Sequence, residues 1–279
     1  MPSVAAKRRL FREMHREGCF VLPNPWDIGS ARWLQGAGFK ALATTSAGAA
    51  WALGYPDGGL PLDAMLSHIR TIVEVTDLPV NADFLNGFAR EPQRVAENVR
   101  RCIETGVAAL SIEDSTGDRR EPLYRFDLAV ARIRAARAAI DAAGGEALLV
   151  ARSECYLTGH PEPRKEALRR LTAFAEAGAD CLYAPGAATR EDIAAIVMAV
   201  APKPVNVLAR KLNGLTVNDL AGLGVRRISV GGAMARMAWA GLIRSAREIL
   251  DEGRFDAFEQ ATPGSDLDGF FAADREARS

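Results

Sequence analysis

The sequence predicts an α/β fold, a closed (β/α)8 barrel of the TIM type, on three observations. The chain has 279 residues, close to the ~250 usual for one such barrel. Eight short apolar runs alternate with amphipathic stretches. Polar residues crowd the ends of those runs.

The runs are CFVLPN (19–24), KALATTS (40–46), LPVNAD (78–83), AALSIED (108–114), ALLVARS (147–153), DCLYAPG (180–186), KPVNVLA (203–209) and RRISVGG (226–232). Each is bounded by Gly, Pro or Asp, and continuous apolar runs suit strands buried on both faces, as in parallel sheets. DIGSARWLQGAG has helical spacing and stops at Gly36 and Gly38; EPQRVAENVRRCIETG has Pro92 in its first turn and ends at Gly106, the Pro-early, Gly-late order of a helix. RKEALRRLTAFAEAGAD and REDIAAIVMAVAPKP repeat the logic. One βα unit used eight times predicts a closed parallel barrel. An open doubly wound sheet would carry a Gly-rich phosphate turn after its first strand, and VLPNPWDIG is not one. Residues 1–18 read as a leading helix covering the barrel bottom, and residues 232–251 as a long final helix. The whole chain, 1–279, reads as one barrel domain. Its tail, 252–279, holds Phe255 with Phe258 and Phe270 with Phe271 on short helices, which need the barrel or a partner subunit to cover them.

Hydrophobic residues make up 48% and charged residues 25%, with 35 basic against 35 acidic side chains. That balance favours neither nucleic acid nor an anionic membrane. Cys19, Cys102, Cys155 and Cys181 show no metal or disulfide spacing, which predicts a reduced, cytoplasmic protein. No stretch approaches the ~18 apolar residues of a bilayer span, and the first residues lack the apolar core of a signal peptide.

Barrel active sites lie at the C-terminal ends of the strands. Those ends hold Asn24, Ser46, Asn81, Asp83, Glu113, Asp114, Arg152, Glu154, Pro185, Asn206 and Gly231, with Asp57 in LGYPDGG nearby. Asn81 and Asp83 share one side of a strand, and Asp83 and Glu113 fall on consecutive strands. They are the best pair for a hard cation such as Mg²⁺, which takes oxygen ligands and keeps waters. Arg152 suits a substrate carboxylate, which a guanidinium grips by two oxygens. Asn206 is a further candidate for substrate binding. Blander roles stand beside these: Asp57 and Asp114 as helix caps, Arg152 as a structural partner of Glu113, Asn206 as a buried cross-strand bond. His160 and Cys155 fall near the same rim without an activating pattern. Lys211 is the sole candidate for a Schiff-base aldolase, and it lies late and among polar residues.

At these residues the chain resembles the isocitrate lyase / phosphoenolpyruvate mutase superfamily. The resemblance spans roughly residues 8–250 and rests on NPWDIGSARWLQGAGFKAL, TTSAGAAWALGYPDG, LPVNADFLNGFA, GVAALSIEDS and LLVARSE, in that order. It implies a barrel whose last helix is swapped between subunits of a homodimer or homotetramer. It implies bound Mg²⁺ or Mn²⁺, and C–C or C–P chemistry on 2-oxo or 2-hydroxy acids through an enolate-like species. Ser46, Ala47 and Gly48 would line the oxo-acid end. Asn81, Asp83 and Glu113 would form the metal shell, Asp57 would stand near the reacting centre, and Arg152 would hold the substrate carboxylate. Glu113 and Arg152 would thus join Asp57 in catalysis.

Three departures bear on the reaction. Asn81 stands where the strand-three motif usually begins with Asp. STGDRREPLYRFD replaces the KKCGH-type loop of the lyases and holds no Cys or His, leaving Arg119, Arg120 and Arg125 as possible cationic groups of a lid over 115–125. Strand six ends in YAPG, where lyase members have a glutamate. The reading is a metal-dependent lyase cleaving a C–C bond of a small 2-oxo or 2-hydroxy (di)carboxylic acid. The alternatives are a phosphoenolpyruvate or phosphonopyruvate mutase or hydrolase, and a 2-oxo acid binder without turnover.

Overall fold

The computed structural model describes residues 2–278. Eight parallel strands, β1 (Phe20–Leu22), β2 (Leu42–Ala43), β3 (Val80–Asp83), β4 (Ala109–Glu113), β5 (Leu148–Arg152), β6 (Cys181–Tyr183), β7 (Val205–Leu208) and β8 (Arg227–Ser229), pair in sequence order, with β8 returning to β1. The β1–β2 seam is closed by the Ala43 amide, which donates to the Pro23 carbonyl at 3.0 Å. Asn24 staples the same seam. Its Nδ2 donates to the Thr44 carbonyl at 2.9 Å, and its Oδ1 accepts from the Val230 and Gly231 amides at 2.9 and 2.8 Å. The barrel is thus the predicted one.

Helices α1 (Val4–Met14), α2 (Ile28–Gly36), α3 (Ser46–Ala52), α4 (Leu62–Val75), α5 (Pro92–Ile103), α6 (Phe126–Ala142), α7 (Pro163–Glu176), α8 (Arg190–Val200), α9 (Val217–Gly222), α10 (Ala233–Glu252) and α11 (Gly264–Glu276) connect and follow the strands. Their ends follow local rules. Asp27 caps α2 by accepting from Ser30 N, Pro92 opens α5, and Gly38 and Gly106 adopt φ of +95° and +89° just past the helices they end. None of these helices is long and apolar enough to cross a membrane.

Helix α1 plugs the N-terminal end of the barrel. Lys7 Nζ donates to the Val73 carbonyl at 3.2 Å and to that of Thr76 at 2.5 Å, while Arg8 binds the carbonyls of Val107 and Ile103 at 3.0 and 3.1 Å. Phe11, fully buried, packs inside the strand ring against Leu22, Ala41, Ala43, Ala108, Ala109 and Leu148. His15 follows it, with Nδ1 on the Phe11 carbonyl at 2.7 Å. Each polar end that α1 sends inward here, from Lys7, Arg8 and His15, finds a partner.

Helix α10 buries only Ala235 and exposes Met237, Trp239, Leu242 and Ile243. A 3-10 turn, Asp256–Gln260, carries Phe258 beside Phe255, and both rings stay exposed. Helix α11 returns to α2 of the same chain: Phe270 lies where a Cβ on Gly36 would stand, Phe271 lies against Gly29, and Asp274 pairs with Arg32.

Candidate active site

The C-terminal end of the barrel opens into a chamber of about 400 Å³. β2 turns directly into α3. Thr45 caps that helix by accepting from Gly48 N at 3.2 Å, so the Ser46 amide is left facing β3. Asp83 receives it: Oδ2 accepts from Ser46 N at 3.0 Å and from Ser46 Oγ at 2.8 Å. Ser46 Oγ also lies 3.5 Å from Asp57 Oδ1. Ser46, Ala47, Asp57, Asp83 and Arg152 all line the chamber.

The centre of charge is Arg152. Its Nη1 stands 3.5 Å from Asp83 Oδ1 and 3.3 Å from Glu113 Oε2, its Nε bonds to Glu154, and its Cζ lies 5.4 Å from the Tyr183 ring centroid. Register explains the cluster, since Glu113 pairs with Arg152 and Arg152 with Tyr183 across β4, β5 and β6. Burial pushes the Glu113 carboxyl above the usual carboxylate range, with Arg152 opposing. Burial also raises Asp57, helped by repulsion from Asp83 and opposed by Arg152.

Several sequence candidates sit elsewhere. Gly48 is a packing glycine: its amide serves Thr45, and a Cβ there would come within 2.6 Å of Thr45 Cγ2 and 2.9 Å of Trp26 Cβ. Glu113 stands behind Arg152 rather than on the chamber wall. Asn206 is buried beneath the wall, with Nδ2 on Ser229 Oγ at 3.0 Å and Oδ1 on Arg227 Nε at 2.9 Å. Asn81 does line the chamber, but its Oδ1 is held by Arg227 Nη2 and Nη1 at 3.2 and 3.3 Å, away from the carboxylates. Asp114 is a tie, accepting from Glu154 N at 2.8 Å and pairing with Arg170 at 3.1 Å. Arg119, Arg120, Arg125, Cys155 and His160 are off the chamber wall, and Lys211 lines a neighbouring cavity. The 115–125 loop is closed on itself through a Ser115–Leu123 bridge and a Thr116 N to Pro122 O bond of 3.0 Å.

Sequence reasoning passed over Tyr183, Arg210, Arg227 and Arg236, which also line the chamber. Arg227 was detectable, because an arginine two residues before Ser229 shares its side of an otherwise apolar strand. Arg210 and Arg236 lie in loop and helix stretches where an exposed arginine carries no signal.

Oxygen donors of this kind suit a hard divalent cation. One cationic nitrogen is already shared by Asp83 and Glu113, and Mg²⁺ uses one or two carboxylates and fills its shell with water and substrate oxygens. The pair therefore fits the ion, while Asn81 is engaged elsewhere. No group of three or more His, Cys, Asp and Glu among the described residues is arranged to enclose a metal.

The family model for phosphoenolpyruvate phosphomutase matches residues 11–250. The chain belongs to the isocitrate lyase / phosphoenolpyruvate mutase superfamily of enzymes. It is 46% identical to a provisionally assigned lyase/mutase from Burkholderia cenocepacia J2315, whose crystal structure superposes with a TM-score of 0.92 over 96% of this chain and 97% of that one. It is 33% identical over 204 residues to oxaloacetate decarboxylase of Paraburkholderia xenovorans (strain LB400), covering 70% of this chain and 66% of that protein. The crystal structure of 2,3-dimethylmalate lyase matches with a TM-score of 0.84 at 27% identity, over 100% of this chain and 98% of that one.

Proposed function

We propose that the protein is a metal-dependent lyase that cleaves a C–C bond of a small 2-oxo or 2-hydroxy (di)carboxylic acid through an enolate. The observation that carries this is the pair of carboxylates, Asp83 and Glu113, that share the Arg152 guanidinium beside the Ser46 amide, at the wall of a chamber sized for a small acid. Mg²⁺ or Mn²⁺ bound there would polarise the substrate's oxo group and offset the developing negative charge.

The remaining work falls to this chain's side chains. Arg152 turns from the carboxylate pair to the substrate carboxylate, which its planar fork binds through two oxygens. Ser46 and Ala47 hold the oxo-acid end against α3. Asp57, partly desolvated and repelled by Asp83, retains a proton more readily than an ordinary carboxylate and moves it at the reacting carbon. Arg210 and Arg236, on the outer wall and without an acid partner among the described residues, draw anions in. These two arginines, with the phosphomutase family model, favour a second reading, a phosphoenolpyruvate or phosphonopyruvate mutase or hydrolase. The exposed apolar face of α10 fits a homodimer or homotetramer in which a partner subunit covers it.

The test is turnover of oxaloacetate, 2-methylisocitrate, isocitrate, 2,3-dimethylmalate, phosphonopyruvate and phosphoenolpyruvate with Mg²⁺ and again with EDTA. EDTA-sensitive release of a 2-oxo acid or other C–C cleavage product without phosphate is expected. Phosphate release, or consumption of phosphonopyruvate, would select the second reading. Turnover indifferent to EDTA would remove the metal from the mechanism.

A further inference from the structure

Arg227 carries a charge that no acid beside it answers. Its side chain is 2% exposed and lies across the inner end of the chamber. Nε donates to Asn206 Oδ1 at 2.9 Å, Nη1 and Nη2 to Asn81 Oδ1 at 3.3 and 3.2 Å, and Nη1 faces His15 Nε2 at 3.4 Å. The Phe11 ring centroid lies 5.8 Å from Cζ. All of these neighbours are neutral: His15, with Nδ1 on a backbone carbonyl, meets the guanidinium through its other nitrogen. Among the described residues no carboxylate comes within 4.0 Å of Arg227; buried Arg132 is likewise without one but meets the backbone carbonyls of Asn86, Ala89 and Arg90, whereas buried Arg32 and Arg170 each pair with an acid.

An arginine does not shed its proton in a protein, and an isolated buried charge is costly unless something pairs with it. A guanidinium has five N–H groups. The contacts above take Nε–H, both hydrogens of Nη1 and one of Nη2, so one N–H of Nη2 is left on a residue that lines the chamber. The position that could have supplied the counter-charge is Asn81, whose Oδ1 faces both Nη atoms. An acid at 81 would pair with Arg227 and fill the site from within; an amide orients the guanidinium and leaves its charge available.

We propose that the inner end of the chamber is a second anion site, in which Arg227, held in place by Asn81 and Asn206, binds a small carboxylate. The carboxylate is either one end of the substrate or a free small anion. The first of these rests on the carboxylic-acid substrate proposed above; the site itself does not.

The test needs no turnover. In EDTA and low-chloride buffer, wild type, Asn81→Asp and Arg227→Met are titrated with formate and with oxalate, by calorimetry and by thermal unfolding. Wild type is expected to bind at least one of the two anions and to be stabilised by it. Asn81→Asp, which gives Arg227 an internal counter-ion, is expected to bind that anion at least tenfold more weakly and to melt higher than wild type in its absence. Arg227→Met is expected to lose the binding; should it fail to fold, Asn81→Asp decides alone. Formate binding that is lost in Asn81→Asp marks a site for free monoanions, and oxalate binding alone that is lost there marks a substrate end. Wild type that binds neither anion, or Asn81→Asp that binds both within twofold of wild type, overturns the site. A protein that turns over none of the acids but shows this pattern keeps the site and loses the lyase reading.

Discussion

Nη1 of Arg152 stands 3.3 Å from Oε2 of Glu113, with Asp83 Oδ1 at 3.5 Å on the same nitrogen. One cation holds two acids that would otherwise repel each other in a partly buried place. Removing one partner of a buried pair costs about 3–5 kcal/mol, because the other charge is left unanswered. Arg152→Met is therefore expected to lower stability by about 3 kcal/mol in EDTA, and millimolar Mg²⁺ is expected to restore much of it by taking the vacated position. Urea unfolding with and without Mg²⁺ measures both. Absence of any Mg²⁺ rescue would show that the two carboxylates do not form a divalent cation site.

Asp57 is separable from that pair. It touches Ser46 Oγ at 3.5 Å and no cation within 4.0 Å among the described residues. Asp57→Asn is expected to reduce kcat by about 10²–10⁴, the usual worth of a placed acid or base, with Mg²⁺ affinity changed less than threefold (roughly, from its absence in the pair). Steady-state kinetics beside a metal titration decide this. Unaltered kcat would remove Asp57 from proton transfer.

His15 makes a pH prediction with a definite sign. Burial, reinforced by the Arg227 charge, lowers its pKa from 6.5 to about 3. The native ring is neutral down to about pH 3, while the unfolded ring takes up a proton below 6.5. Above pH 6.5 the group contributes no pH dependence; between 6.5 and about 3 the unfolded state binds more protons and stability falls. The slope contributed approaches about 1.4 kcal/mol per pH unit. The difference in unfolding free energy between wild type and His15→Gln, measured at pH 7.5 and 5, should shift in favour of the variant at the lower pH. Parallel curves would mean that His15 is charged in the native state.

Gly48 tests packing against binding. A methyl group at 48 meets Thr45 Cγ2 at 2.6 Å, Trp26 Cβ at 2.9 Å and Ala235 Cβ at 3.3 Å. Overpacking of this kind costs about 1–3 kcal/mol, so Gly48→Ala should lower Tm by several degrees (roughly 2–4 °C per kcal/mol at this size). Saturating ligand should leave that loss in place, since the residue contributes no group to the chamber. Full recovery with substrate would return Gly48 to the binding site.

The barrel was legible because its signals are local and repeated. A strand ending in Asp83, a proline opening α5 and a glycine past its end each follow from a few neighbouring residues. The rim was legible for the same reason, since strand ends place Ser46, Asp83, Glu113 and Arg152 together. Partner choice inside the rim was not. That Asn81 turns to Arg227 depends on two strands remote in sequence, and on Phe11 and His15 of α1 beneath them. Likewise, nothing near Asp114 foretells Arg170, 56 residues on. Such pairings are settled by packing across the barrel, and no window of sequence contains both members.

The plug formed by α1 makes the chamber a room with one door. Lys7, Arg8 and Phe11 close the far end with hydrogen bonds and apolar contact, leaving traffic to the strand-end mouth. If the substrate is cleaved there as proposed, its two fragments leave in turn, the one nearer the door first. The inner fragment, left in place, competes with incoming substrate, and the outer one does not. The pattern of product inhibition would therefore record which way round the substrate had been seated.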